Sequence, residues 1–516
     1  MSPGILIFVV AVLLVAGVKY LNHTDLPKIK NLVEIPGVPL FGSLLQLGAS
    51  HADACRKLAA QYGPIFQARL GNRRFVYVNS FEDIKDLWIG HHQSMISRTS
   101  FWTFHSVVSK STGPTLATSP WTESTKRVRK VAATAINRNA VQTYLPSIDL
   151  ETTFNARDIL EMTKNGADVD PILYFQRSSL NMALRVNYGF RLKGCINDEK
   201  IREVVDVERE LSLLRGIAHC WQDYIPIMRL WPGYRSHAEN LRERRDLYLL
   251  QFYEELKCRI AAGTDVPSIT GSVLKDPEAK LSENELKTVS LTMVAAGLDT
   301  LPSNVNMAIA YLSSPDGQEI QERAYLELQR TYPNGAGWQA CLEAEECDYM
   351  VALVKETLRY WSTMNLSIAR LNVKPIDYKG IHFPAGTPFV MNVYGANHDG
   401  SHFKNPDAFD PERYLVGSKI GLQHMSYGAG SRACEGAHLA NRQLYVILTR
   451  LILGFHIREA TDPKMRPVID PIGCSSVTTG MVTQPKPFKV RFSARDKDQL
   501  SHWIEDSIER TKAFDT

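Results

Sequence analysis

The sequence predicts a mainly α-helical protein with small β-sheets, preceded by an N-terminal membrane anchor. Three observations carry that expectation. Helical hydrophobic periodicity dominates the chain beyond its N-terminal segment. Strand candidates are few and short, such as RFVYVNS (Arg74–Ser80) and TPFVMNVY (Thr387–Tyr394), both rich in β-branched and aromatic residues. Ile5 to Val18 is an unbroken run of apolar or small residues.

Taken in order, residues 1–21 approach the roughly 20 residues that a membrane span needs. A secretory signal peptide is the competing reading. No charge precedes the run and no convincing small-residue cleavage site follows it. Lys19, Lys28 and Lys30 come after the span, which places the remainder on the cytosolic side, with the endoplasmic reticulum as the expected membrane. Residues 22–42, with Pro27, Pro36 and Pro39, read as a stiff extended hinge. Residues 43–495 read as the globular body, and residues 496–516 as a charged, solvated tail helix.

Bulk properties narrow the function classes. A chain of 516 residues that is 44% hydrophobic buries a large core, and length alone suggests roughly three domains. A net charge of +4 without a long basic tract excludes a nucleic-acid footprint. Eight scattered cysteines make a disulfide framework improbable and a reducing compartment the natural setting.

Three patterns carry chemistry. The first is AAGLDT, Ala295 to Thr300. Ser282 and Glu285 form a capping box, so a helix is expected from near Glu283 to about Leu312. Pro302 lies inside it and has no N–H for the carbonyl of Leu298, so the ladder should open beside Asp299 and Thr300. An ordinary kink is the plain reading. An acid and a hydroxyl at an opened turn suggest instead a site for a small polar ligand and protons.

The second is KETLRYW, where Glu356 and Arg359 share one helix face at i, i+3. Such pairs are common and mostly solvated. Arg413 in FDPERY could close a Glu–Arg–Arg cluster that fixes geometry.

The third is YGAGSRACEGAHLANRQLY, Tyr427 to Tyr445. Its G-x-G-x-x-A invites a dinucleotide reading, which needs an acidic residue about 20 positions on. None occurs between Gly436 and Arg458, so that reading fails. A helix beginning near Gly436 would hold Cys434 just ahead of its free N–H groups, where a thiolate is favoured. The glycines let backbone approach something large and flat, and Arg432 could pair with an anion on it.

Together these three patterns resemble the cytochrome P450 superfamily. Tyr427, Gly428, Gly430, Arg432, Cys434 and Gly436 match its F-x-x-G-x-R-x-C-x-G, with Tyr in place of Phe. Glu356 and Arg359 match its E-x-x-R, and Ala296–Thr300 its A-G-x-D-T. The resemblance implies one large domain rather than three. It implies heme b with its iron held by the Cys434 thiolate, and Arg432, Arg370 and Trp121 around the propionates. Asp299 and Thr300 would then guide protons during oxygen activation. The family's W-x-x-x-R is imperfect: Thr125 stands four residues after Trp121, with Lys126 and Arg127 next, and which base reaches a propionate stays open.

Stretches without generic catalytic roles, such as TFHSVVSKS, SPWTES, WQDYIP and TQPKPFKV, look like the fungal phenylacetate hydroxylase family. That implies ring hydroxylation of a small aryl acid or phenol with O2. Phe101, Trp102 and Phe104 would stack the ring, and Arg98 or His105 would meet its anion. STMNLSIAR departs from the family in lacking proline, and its Asn365 and Ser367 would add hydrogen-bonding groups. No flavin or nucleotide site is evident, so the implied electron donor is NADPH-cytochrome P450 reductase. KRVRK (Lys126–Lys130), Arg138 and Arg442 would form its docking face, unless they are simply a solvated surface. The alternatives are a biosynthetic hydroxylase of a larger aromatic metabolite, a heme sensor, and a reductase-independent peroxygenase or isomerase.

Overall fold

The computed structural model describes residues 3–276, 281–415 and 423–515. Its axis is the 31-residue helix Glu283–Ser313. Ser282 starts it as expected: its hydroxyl accepts from the Glu285 N–H while Glu285 Oε2 accepts from the Ser282 N–H at 2.8 Å. The helix runs unbroken through Pro302: the bond that this residue cannot donate to the Leu298 carbonyl is lost, as expected, without ending the helix. Side chains crowd the carbonyls there instead. Thr300 Oγ1 donates to the Ala296 carbonyl at 2.9 Å, and the Asn306 amide donates to the Pro302 carbonyl at 2.7 Å.

This helix joins two cores. Leu291, Val294 and Leu298 pack with helices Glu199–Leu214 and Pro232–Ala261. Leu301, Val305 and Met307–Leu312 pack with helices Asp348–Tyr360 and Ala437–Gly454. Asp299 and Thr300 therefore lie where one core gives way to the other.

The sheets are small. β1 (Ile65–Leu70), β2 (Arg73–Val78), β3 (Ser97–Arg98), β4 (Arg370–Leu371) and β7 (Pro388–Met391) form one sheet in the order β1-β2-β7-β4-β3. Only the β2–β7 pair is parallel. β5 (Ile376–Tyr378) pairs with β6 (Ile381–Phe383), and β8 (Phe455–Glu459) with β9 (Val490–Ala494). Both strand candidates read from the sequence fall in the large sheet.

Three expectations change. Among the described residues no helix is long and apolar enough to cross a membrane, so the expected span over 1–21 is not supported. The N-terminal helix Pro3–Leu21 nonetheless leaves Ile5, Ile7, Phe8 and Val15 exposed. Residues 22–42 are not a free spacer, because Ile29, Leu32 and Ile35 are buried and the Gln67 side chain bonds Ile29 and Leu32. The C-terminal helix Lys497–Thr511 is docked rather than solvated. Leu500 and Ile504 are buried, Trp503 stacks on Trp338 at 5.4 Å, and Arg510 pairs with Asp149 at 2.7 Å.

Candidate active site: a cysteine loop under four guanidinium groups

Cys434 sits two residues ahead of Gly436, the N-cap of the helix Ala437–Gly454. Its N–H donates to the Tyr427 carbonyl at 2.8 Å, folding the loop back on itself. Gly428 and Gly430 have φ of 69° and 62°, the left-handed region that favours glycine. A Cβ at Gly430 would stand 1.9 Å from the Trp88 carbonyl oxygen, so only glycine allows that approach. The tyrosine that replaces phenylalanine spends its hydroxyl on Asn441 at 2.6 Å.

Cys434 is an exposed residue, yet desolvation of its thiol pushes the pKa up, opposed by the Gly436 N–H and the Arg129 charge. The helix terminus alone therefore does not make the thiolate expected from the sequence, because desolvation outweighs it. A coordinated cation would supply the missing drive.

Four guanidinium groups gather beside this loop. Register places Arg98 of β3 directly opposite Arg370 of β4, a like-charge pair that destabilises a sheet by itself. Arg370 donates to the carbonyls of Met95 and Ala429, the latter in the cysteine loop. Arg432 donates to Ile96, Leu116 and Ser119 carbonyls, and its guanidinium lies 5.8 Å from the Trp121 ring centre. Burial first, and then neighbouring positive charge, pull Arg370 and Arg432 down to about 9 and Arg98 well below its usual value. The Nε atoms of Arg98 and Arg432 are buried without an acceptor. Arg129 completes the group and holds its one paired carboxylate, Glu435, at 2.9 Å.

Sequence reasoning missed Arg129 and Glu435. Arg129 was grouped with an exposed basic run, yet it lies one helical turn beyond the buried Thr125, on the same face. Of its neighbours, Arg127 turns to Glu285 at 2.6 Å, and Lys126 and Lys130 are exposed. Arg98 belongs to the guanidinium group, and His105 bonds Phe101 and Thr118 through its two ring nitrogens. Phe104 is core, whereas Phe101 lines a pocket with the Asn365–Ala369 segment. Ser367 is spent on the Met391 N–H at 3.1 Å, while Asn365 Oδ1 has no partner.

Asp299 is 8% exposed, and its pKa is pushed up to about 7 by burial and by Glu208, against Arg215 and Arg209. Ala296, one turn earlier, is exposed although its helix is otherwise mostly buried, and a Cβ at Gly297 would meet open space. Glu356, Arg359 and Arg413 come together away from these groups. Arg359 grips Glu356 through two 2.7 Å bonds, and Arg413 adds a third at 3.1 Å.

These features fit heme. Its two propionates match buried cations that lack anions, the Cys434 sulfur matches an axial ligand, and the open space along Ala296–Gly297 leaves room above a flat ring. The comparisons agree. The chain is 51% identical over 498 residues, 96% of each chain, to phenylacetate 2-hydroxylase of Emericella nidulans. It is 37% identical to 3-hydroxyphenylacetate 6-hydroxylase of the same organism, covering 90% of this chain and 89% of that one. A zebra fish cytochrome P450 structure with abiraterone shares the fold at TM-score 0.70 and 17% identity, covering 86% of this chain and all of that one. The cytochrome P450 family model matches residues 34–492, and the chain belongs to that family, whose members carry heme on a cysteine thiolate.

Proposed function

We propose that the protein hydroxylates the ring of a small aromatic acid, inserting one oxygen atom from O2, with electrons from NADPH through a separate reductase. The supporting observation is the conjunction of the cysteine loop with unpaired buried guanidinium groups, joined to the similarity with two phenylacetate-type hydroxylases.

Cys434 is the axial ligand in this reading, and Arg98, Arg129, Arg370 and Arg432 hold the propionates, with Trp121 flanking Arg432. When bound, heme supplies oxygen activation, which thiolate ligation favours. The chain's own contribution is position and protons. Asp299, with a pKa near neutrality, takes up and releases a proton at its carboxylate oxygens. Thr300 fixes its hydroxyl on the Ala296 carbonyl beside the open space. Glu356, Arg359 and Arg413 brace the scaffold.

The redox partner meets a mixed face. Lys130 and Arg138 are exposed, but Arg442 is tied to Glu345 at 3.1 Å, and Glu343 lines the same recess. Membrane attachment through Pro3–Leu21 is proposed from its exposed apolar side chains, with Ile227, Leu230 and Trp231 as a second exposed apolar patch. Removing residues 1–21 should move the protein from the membrane pellet to the supernatant.

The substrate reading is tested with difference spectra of the heme-loaded protein. Phenylacetates should shift the heme to high spin, with phenols and indoles as the panel's other arms. A shift with long fatty acids or sterols and none with aryl acids refutes the reading. Cys434→Ser should lose the red-shifted Soret band of the reduced carbon monoxide complex.

A further inference from the structure

The pocket beside the site carries one charged side chain. It is lined by His51, Phe101 and Arg215, by the Asn365–Ala369 segment, and by Thr478–Met481. Ala369 lines it, and the next residue along the chain is Arg370 of the guanidinium group. Burial lowers His51 to about 4, so its imidazole is neutral there. Arg215, just beyond the helix Glu199–Leu214, is therefore the lone cation among the described lining residues.

Its setting is built. The Arg215 side chain is 5% exposed, and its Nη2 donates to Glu208 Oε2 at 3.0 Å. Glu208 is itself 1% exposed, and Tyr248 fixes it by donating to Oε1 at 2.6 Å. The guanidinium carbon lies 5.2 Å from the Phe104 ring centre, close enough for a cation–π contact. Arg215 Nε is left buried without an acceptor. A buried donor without a protein acceptor invites one from a ligand, and a carboxylate accepts without donating, as this donor requires. Guanidinium and carboxylate also pair in two-pronged geometry.

We propose that Arg215, braced by Glu208 and Tyr248, receives the carboxylate of the substrate and so selects aryl acids over neutral aromatics. This rests on the aryl-acid reading above and names the group that enforces it. Phe101 offers the ring an aromatic wall in the same pocket.

The test compares phenylacetate with its neutral counterpart phenylacetamide, using spin-state difference spectra on the full heme-loaded chain. The intact protein should bind the acid more tightly than the amide. R215Q should lose about tenfold to hundredfold in affinity for the acid, the loss of a charged hydrogen bond, and change about threefold or less for the amide. R215K should recover part of the acid affinity. Because R215Q leaves Glu208 buried and unpaired, E208Q/R215Q serves as the second variant and should show the same selectivity loss with an intact carbon monoxide spectrum. Equal losses for acid and amide, or unchanged acid affinity in both variants, overturn the assignment to Arg215 alone. If the intact protein binds no aryl acid, the aryl-acid reading falls and the assignment falls with it.

Discussion

Arg359 and Arg413 surround a carboxylate, whereas Arg98, Arg370 and Arg432 face one another. In the first cluster both oxygens of Glu356 are taken, and Arg359 spends every N–H on Glu356 or on the carbonyls of Asn397, Pro406 and Ala408. Nothing there is left to bind. In the second, two buried Nε atoms lack acceptors, and Glu435, the one carboxylate paired within the group among the described residues, is held by Arg129. A closed polar network fixes geometry, while an open one is half of a binding site.

Breaking the closed cluster should have the largest effect. Glu356→Ala strands two buried guanidinium groups and should lose about 3–5 kcal/mol of stability, read as a lower urea midpoint. An unchanged midpoint would mean that the cluster braces nothing.

Asp299 probes the seam between the two cores. Its folded pKa of about 7 exceeds the usual 3.8, so the folded state holds the proton more tightly. That contribution is complete below about pH 4 and is lost as pH rises through about 7, up to about 4 kcal/mol. Asp299→Asn should flatten the decline, so that the variant gains on the parent between pH 5 and pH 8. Parallel stability profiles would contradict the raised pKa.

Thr300→Ala is the mildest change, removing one bond to a helix carbonyl and about 1 kcal/mol or less. Heme content and substrate affinity should hold, while NADPH electrons are diverted to hydrogen peroxide. Undiminished product per NADPH would leave the hydroxyl a structural role.

How much of this the sequence reveals depends on the range of each interaction. The capping box of Ser282 and Glu285, the Glu356–Arg359 pair and the turn around Cys434 are local, so spacing alone exposes them. The guanidinium group is not local. Arg98 meets Arg370 through strand register, and Arg129 reaches from the helix Glu123–Ala135 to Glu435 in the cysteine loop, about 300 positions on. Spacing alone therefore points Arg98 at the substrate and Arg129 at a partner's docking face. The docked C-terminal helix misleads for a related reason: its Leu500, Trp503 and Ile504 stripe is thin among charges, and its value depends on Trp338 waiting beneath. Pro302 shows the limit of a local rule, since tertiary packing keeps its helix whole.

The central claim is that the guanidinium group is completed by the anions of heme, and the rate of heme transfer to an excess of apomyoglobin tests it most directly. Arg98→Met removes a cation whose Nη1 donates to the Ile368 carbonyl at 2.6 Å. It should speed heme loss about tenfold or more. Arg413→Lys, in the closed cluster, should lower the urea midpoint and leave that rate unchanged. Heme loss unaltered by Arg98→Met, or accelerated equally by Arg413→Lys, would contradict the account.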